Sequence, residues 1–131
     1  MTASELLKKA DEARALAYCP HSHISVGAAL LTKSGKLYLG ANIENAAHSP
    51  ALCAERAALT RAILDGEREF SAIAVSGGKC GESATTLFPP CGVCRQVMAE
   101  FCPPELEIIL GNEENITKTT LGELLPLAFT L

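Results

Sequence analysis

Ser49-Pro50-Ala51-Leu52-Cys53-Ala54-Glu55-Arg56 and Pro89-Pro90-Cys91-Gly92-Val93-Cys94-Arg95 are the two stretches from which the rest of the sequence can be placed. Ser49-Pro50 precedes a helix expected over 52–65, closed by Asp65-Gly66. Pro89-Pro90 introduces another over about 91–101. Cys53 and Glu55 then sit in the first turn of one helix, and Cys91 and Cys94 at the start of the other. Spacing of i and i+3 puts both of the latter sulfurs on one face. Free backbone N–H groups and the helix dipole favour negative charge at these positions and lower a thiol's pKa. The pattern therefore predicts two helix N-termini converging on one metal ion.

Three protein ligands leave the fourth tetrahedral position of zinc open, which separates a catalytic site from a closed structural one. Zinc brings the pKa of a bound water down towards about 7. A carboxylate that is near the ion but not a ligand can then move protons, and Glu55 is placed for this. A cysteine, a glutamate two residues on and a later Pro-Cys-x-x-Cys form the pattern of zinc deaminases. Cys-x-x-Cys alone is a weak signal; combined with Cys53-Ala54-Glu55 it is strong.

Outward from these segments, residues 3–17 read as a helix. Thr2 or Ser4 caps it, and Leu6, Leu7, Ala10, Ala13 and Ala17 recur near helical spacing. Tyr18-Cys19-Pro20 ends it, because proline disfavours helical geometry in the preceding residue. Val26 to Leu31, a turn over 32–36 and Leu37 to Gly40 read as a hairpin. Phe70 to Ser76 and Leu106 to Leu110 are two further strands, and Leu121 to Leu125 a short last helix or turn. Strands alternating with helices indicate an α/β layered domain spanning 1–131.

The 131 residues are 48% hydrophobic and 20% charged, ordinary for a globular protein with a real core. A net charge of −4 and the lack of a Lys/Arg run argue against a nucleic-acid partner. No apolar run reaches the roughly 18 residues of a membrane span, and the N-terminus lacks a signal peptide's pattern. A cytoplasmic protein is the expectation, with its thiols reduced. Cys19, Cys80 and Cys102 then read as small, part-buried apolar residues.

The chain resembles the short, homotetrameric cytidine deaminases over nearly its full length. The resemblance is carried by Val26-Gly27-Ala28-Ala29-Leu30, Asn42-Ile43-Glu44-Asn45-Ala46, Cys53-Ala54-Glu55-Arg56, Pro90-Cys91-Gly92-Val93-Cys94-Arg95-Gln96 and Glu123-Leu124-Leu125-Pro126-Leu127-Ala128-Phe129. It implies a three-layer α/β/α sandwich with a five-stranded mixed sheet. It implies zinc, one per chain, on Cys53, Cys91 and Cys94. The implied reaction is hydrolysis of cytidine or deoxycytidine to the uridine product and ammonia, a step of pyrimidine salvage. Glu55 would protonate ring N3 and later the leaving amine. Asn42 and Glu44 would grip the ribose 3′-hydroxyl, the Ala54 N–H would meet the base carbonyl, and Phe129 would reach a neighbouring subunit's site. Arg56, beside the first ligand, would offset the −1 charge of three thiolates and Zn²⁺ through hydrogen bonds to sulfur.

The sequence departs from that family at three aromatic positions. His21-Ser22-His23-Ile24 stands where Tyr-Ser-x-Phe is usual, and His48 where Tyr is frequent. Ile24 would then be the pocket wall against the base. A modified cytosine nucleoside, including an antibiotic of the blasticidin S type, is the alternative substrate. Two remoter readings stay open. A structural zinc site would take a fourth ligand from His21, His23, His48, Cys80 or Cys102. A redox dithiol would use Cys91 and Cys94 and leave Cys53 and Glu55 unexplained. Alternation puts Asn42 and Glu44 on the same side of an extended segment, so both can face one ligand.

Overall fold

A computed structural model describes residues 1–131. The elements run α1 (Ala3–Ala13), a 3-10 turn (Arg14–Leu16), β1 (Ile24–Thr32), β2 (Leu37–Ala41), α2 (Ala54–Leu64), β3 (Phe70–Lys79), α3 (Gly92–Phe101), β4 (Glu107–Gly111), β5 (Ile116–Thr120) and α4 (Leu121–Leu124). The strands form one mixed sheet in the order β2-β1-β3-β4-β5. Only the β3–β4 pair is parallel, and α3 supplies its crossover.

Period-two alternation along the inner strands makes two unlike faces. Leu30, Ile73, Val75, Ile108 and Leu110 point to one side, where Ala58, Leu59, Cys94 and Met98 of α2 and α3 cover them. Ala29, Ala72, Ala74 and Ile109 point to the other, under Leu6, Leu7 and Ala10 of α1. Leu6 and Leu7 are buried there, each contributing about 1.5–3 kcal/mol by leaving water. The result is the α/β/α sandwich. No helix is long and apolar enough to cross a membrane.

α1 begins with a capping box, Glu5 N–H donating to Thr2 Oγ1 at 3.1 Å and Thr2 N–H to Glu5 Oε1 at 3.3 Å. It stops at Ala13 rather than 17 because the chain beyond is recruited elsewhere. Arg14 is buried and donates to the carbonyls of Ser25 and Lys79, both at 3.0 Å. Tyr18 N–H donates to Asn42 O at 2.9 Å, which pulls the segment out of helical geometry.

The hairpin, α2, β3, α3, β4 and α4 lie where the sequence places them, to within a few residues. β5 is the element that the residues themselves did not announce. Its Ile116-Thr117-Lys118-Thr119-Thr120 is largely exposed and polar, so no apolar alternation marks it. β-branched side chains and pairing with β4 hold it as an edge strand.

Gly40 fixes the height of α2 above the sheet. A Cβ there would lie 2.4 Å from both Ala54 O and Ala58 N, closer than any real side chain approaches. The first turn of α2, which follows Cys53 and carries Glu55, rests on this gap. Gly40→Ala should cost about 1–3 kcal/mol as an overpacking change. Urea unfolding reads it as a lower midpoint; an unchanged midpoint would show that α2 is free to lift.

Candidate metal centre and active site

Cys53 is the N-cap of α2 and Cys91 the N-cap of α3, both in extended conformation, so each helix begins one residue after a sulfur ligand. Cys94 lies in the first turn of α3. The three Sγ atoms lie within 4.8 Å of one another. Cys53 and Cys91 sulfurs are 3.8 Å apart, and Cys91 and Cys94 sulfurs 3.5 Å. Thiolates bound 2.3 Å from a common tetrahedral centre stand about 3.8 Å apart, so the donor set fits one zinc ion. No histidine joins the cluster, and neither Cys80 nor Cys102 does. The closed four-ligand site considered above is therefore not built.

Protons are already unevenly shared among these thiols. A hydrogen bond from Cys94 holds Cys53 down at about 5, aided by Arg56. The same contact, reinforced by burial, pushes Cys94 well above the ordinary thiol value. Arg56 donates through Nη2 to Cys53 Sγ at 3.5 Å and to Ala51 O at 3.3 Å. Its guanidinium thus lies against the Cys53 sulfur. Arg95, not singled out from the sequence, donates to Pro90 O at 2.8 Å and to Leu124 O at 2.9 Å. It ties the residue before Cys91 to α4.

Glu55 is 4% exposed. Burial raises its pKa above the usual carboxylate value, and the charge on Cys53 acts in the same direction. A proton is retained on this carboxyl to higher pH than on a solvated glutamate, which suits an acid–base group.

Glu55 opens onto a cavity of about 750 Å³, which Asn42, Glu44, His48, Cys53, Ala54, Arg56, Phe88 and Cys91 help to line. The Ala54 N–H is the first of α2 and so has no intrahelical partner. The 42–44 segment is zipped in place on both sides. Glu44 N–H donates to Tyr18 O at 2.8 Å, and Ile43 and Leu52 exchange a pair of 2.9 Å backbone bonds. Asn42 accepts from Val26 N–H at 2.8 Å and donates to Ile24 O at 2.9 Å, which leaves one N–H and one lone pair of its amide free. The Glu44 carboxylate accepts from the N–H groups of His21 at 2.9 Å and Ser22 at 3.1 Å, and from the Ser22 hydroxyl. Those bonds, the hydroxyl's first, hold its pKa below the ordinary value and keep it charged.

Ile24 and Phe129 stand apart from this group. The half-buried Ile24 packs against the main core and does not line the cavity. Phe129 is 69% exposed in the single chain, its carbonyl accepting from Gln96. The aromatic ring that does line the cavity is Phe88. It lies over Gly77, where a Cβ would meet ring atoms at 2.6–2.8 Å. Phe88 and Ser22 were missed by sequence reasoning. A Phe next to Pro89-Pro90, just before the Cys91 ligand, was the available signal for the first. Nothing local marked the second.

An α/β/α sandwich that gathers three thiols at two helix starts, with a buried acid beside them, defines a zinc-binding domain of hydrolytic type. The family described as "Cytidine and deoxycytidylate deaminase zinc-binding region" matches residues 1–110. A cytidine deaminase of Halalkalibacterium halodurans is 49% identical over 95% of this chain and 92% of its own. The crystal structure of a cytidine deaminase from Burkholderia pseudomallei superimposes with a TM-score of 0.90 at 46% identity, covering 98% of this chain and 100% of that one. A blasticidin-S deaminase of Bacillus cereus is 29% identical over 96% of this chain and 91% of its own. The chain belongs to the cytidine and deoxycytidylate deaminase family.

Metal binding here should depend on all three sulfurs. Cys91→Ala should lose most of its zinc by elemental analysis and also unfold at lower temperature, because the ion staples α2 to α3. Full zinc occupancy with full activity in that variant would remove Cys91 from the ligand set.

Proposed function

We propose that the protein is a zinc-dependent hydrolase that converts cytidine and deoxycytidine to uridine and deoxyuridine with release of ammonia. The observation that carries this reading is the buried Glu55 carboxyl, raised in pKa and set beside three sulfurs spaced for one ion. Zinc, held by Cys53, Cys91 and Cys94, supplies when bound a water acidic enough to act as nucleophile at neutral pH.

The chain's own residues do the rest. Glu55 gives a proton to ring N3, which makes C4 electrophilic, and a second proton later reaches the departing amine through the same carboxyl. The Ala54 N–H, at the positive end of α2, meets the base carbonyl. Asn42 and the charged Glu44 take the ribose hydroxyl, and they meet substrate already oriented by the 18–26 segment. Arg56 keeps negative charge from accumulating on Cys53. Phe88 offers the base an aromatic wall. Identity favours plain cytidine over the antibiotic, 49% against 29% for the respective relatives. A cytoplasmic setting, where thiols stay reduced, belongs to this reading.

Ammonia release from cytidine, deoxycytidine, cytosine and blasticidin S is the test. The two nucleosides should be the substrates with the highest kcat/KM; blasticidin S in first place would transfer the assignment to the antibiotic. Glu55→Gln should lower kcat by at least 10²–10⁴-fold with zinc still bound. A variant within tenfold of wild type would mean that another group moves the proton.

The proposed assembly is a homotetramer with shared sites. Leu127, Phe129 and Leu131 are exposed at the C-terminus, an apolar cluster that a neighbouring subunit would cover. Light scattering should give a mass near four chains, and truncation after Pro126 should impair activity more than it impairs folding of the subunit. An active monomer would exclude sharing.

A further inference from the structure

Cys19 and Cys80 are absorbed by neither the metal centre nor the core. Cys102 is buried in the core as an apolar residue, whereas Cys19 is half-buried and Cys80 exposed. These two are 61 residues apart in sequence, and their Sγ atoms are 2.7 Å apart. The distance distinguishes two uses of a thiol pair. Sulfurs sharing a tetrahedral zinc stand about 3.8 Å apart, as the 3.8 and 3.5 Å spacings at the metal centre illustrate. At 2.7 Å the Cys19 and Cys80 sulfurs are too close to share an ion. A further approach of about 0.7 Å brings them to a covalent S–S length.

The pair also sits at a particular place. Cys19 O accepts from His23 N–H at 3.1 Å, and Cys80 N–H donates to His23 O at 2.9 Å. His23 holds a left-handed φ of 59° between them. The loop enclosed, residues 19–24, is the one whose His21 and Ser22 donors grip the Glu44 carboxylate. The Cys80 N–H to His23 O bond and the sheet pairing of Ile24 with Lys79 connect this loop to the end of β3.

We propose that Cys19 and Cys80 form a redox modification site whose disulfide locks the 19–24 loop, and the Glu44 carboxylate it holds, onto the end of β3. The oxidant class is a low-molecular-weight disulfide such as oxidised glutathione. The exposed Cys80, as thiolate, attacks one sulfur of the oxidant, forms a mixed disulfide and releases one small thiol. Cys19, losing its proton, then attacks Cys80 Sγ and releases the second. Two protein thiols lose two electrons and two protons, and the oxidant becomes two thiols. This site operates independently of which nucleoside the enzyme prefers.

The test incubates the zinc-loaded full-length protein in buffers of defined oxidised-to-reduced glutathione ratio. The thiols are then quenched, and the peptides mapped by mass spectrometry. A Cys19–Cys80 crosslink should form while Cys53, Cys91 and Cys94 stay reduced and zinc is retained. Amide hydrogen exchange of residues 21–24 should slow roughly tenfold or more on oxidation, because the loop's local opening is suppressed. Cys19→Ser should show neither response. Cys80→Ser gives the same control if Cys19→Ser folds poorly. Glutathione adducts without a crosslink, or a crosslink made with a zinc cysteine instead, would overturn the proposal. So would a Cys19–Cys80 bond that leaves exchange in 21–24 unchanged.

Discussion

Everything at this site depends on two helix starts meeting across one gap. A helix N-terminus carries unpaired N–H groups and partial positive charge, and Cys53 and Cys91 each occupy the cap of one. Neither side chain caps its own helix by hydrogen bonding. The sulfurs instead point to a common centre, within 4.8 Å of one another and of Cys94. The sheet makes the meeting possible. The bare Gly40 lets α2 settle against β2, and the parallel β3–β4 crossover returns α3 to the same face. A displacement of either helix by a fraction of a side chain would part the ligands.

The substrate side of the cavity is built on a different plan. It uses extended backbone rather than helices. The 42–44 segment bridges to Tyr18 on one edge and to Leu52 on the other, one residue short of the Cys53 ligand. A shift of the 42–44 segment would therefore be felt at Cys53, and the reverse. Asn42 and Glu44 face one cavity but are held by different means. Asn42 is fixed by its amide to the start of β1, Glu44 by donors of a loop. The first is as rigid as the sheet. The second is as rigid as the loop that follows Cys19.

What the sequence made legible follows a physical rule. Cys53, Cys91, Cys94 and Glu55 announced themselves because metal ligation and proton transfer demand particular atoms at fixed spacing. The inner strands were readable because one or both faces are buried and the apolar pattern records it. β5 was not, since an exposed polar edge strand needs no such pattern. Ile24, assigned to the pocket by resemblance, packs partly buried against the core, and Phe88 lines the cavity from a distant loop. No single-chain pattern encodes the placement of Phe88, because it depends on how two loops pack. Cys19 and Cys80 illustrate the same limit. Sixty-one positions apart, each reads as a small apolar residue, and only the fold brings the two sulfurs together.

The charge arrangement explains why Glu55, and not a more exposed acid, suits proton transfer. Three thiolates with one divalent cation leave a net −1 at the centre, and Arg56 against Cys53 brings the local sum to zero. A buried carboxylate added to that sum would be an uncompensated charge in a low-dielectric pocket. Protonated, Glu55 carries no such penalty, and its burial accordingly raises its pKa. Glu44 is the opposite case. It is half-buried, receives two N–H donors and a hydroxyl, and has its pKa lowered by them. Two carboxyl groups lining one cavity thus have their pKa values moved in opposite directions, upward by burial at one and downward by hydrogen bonding at the other.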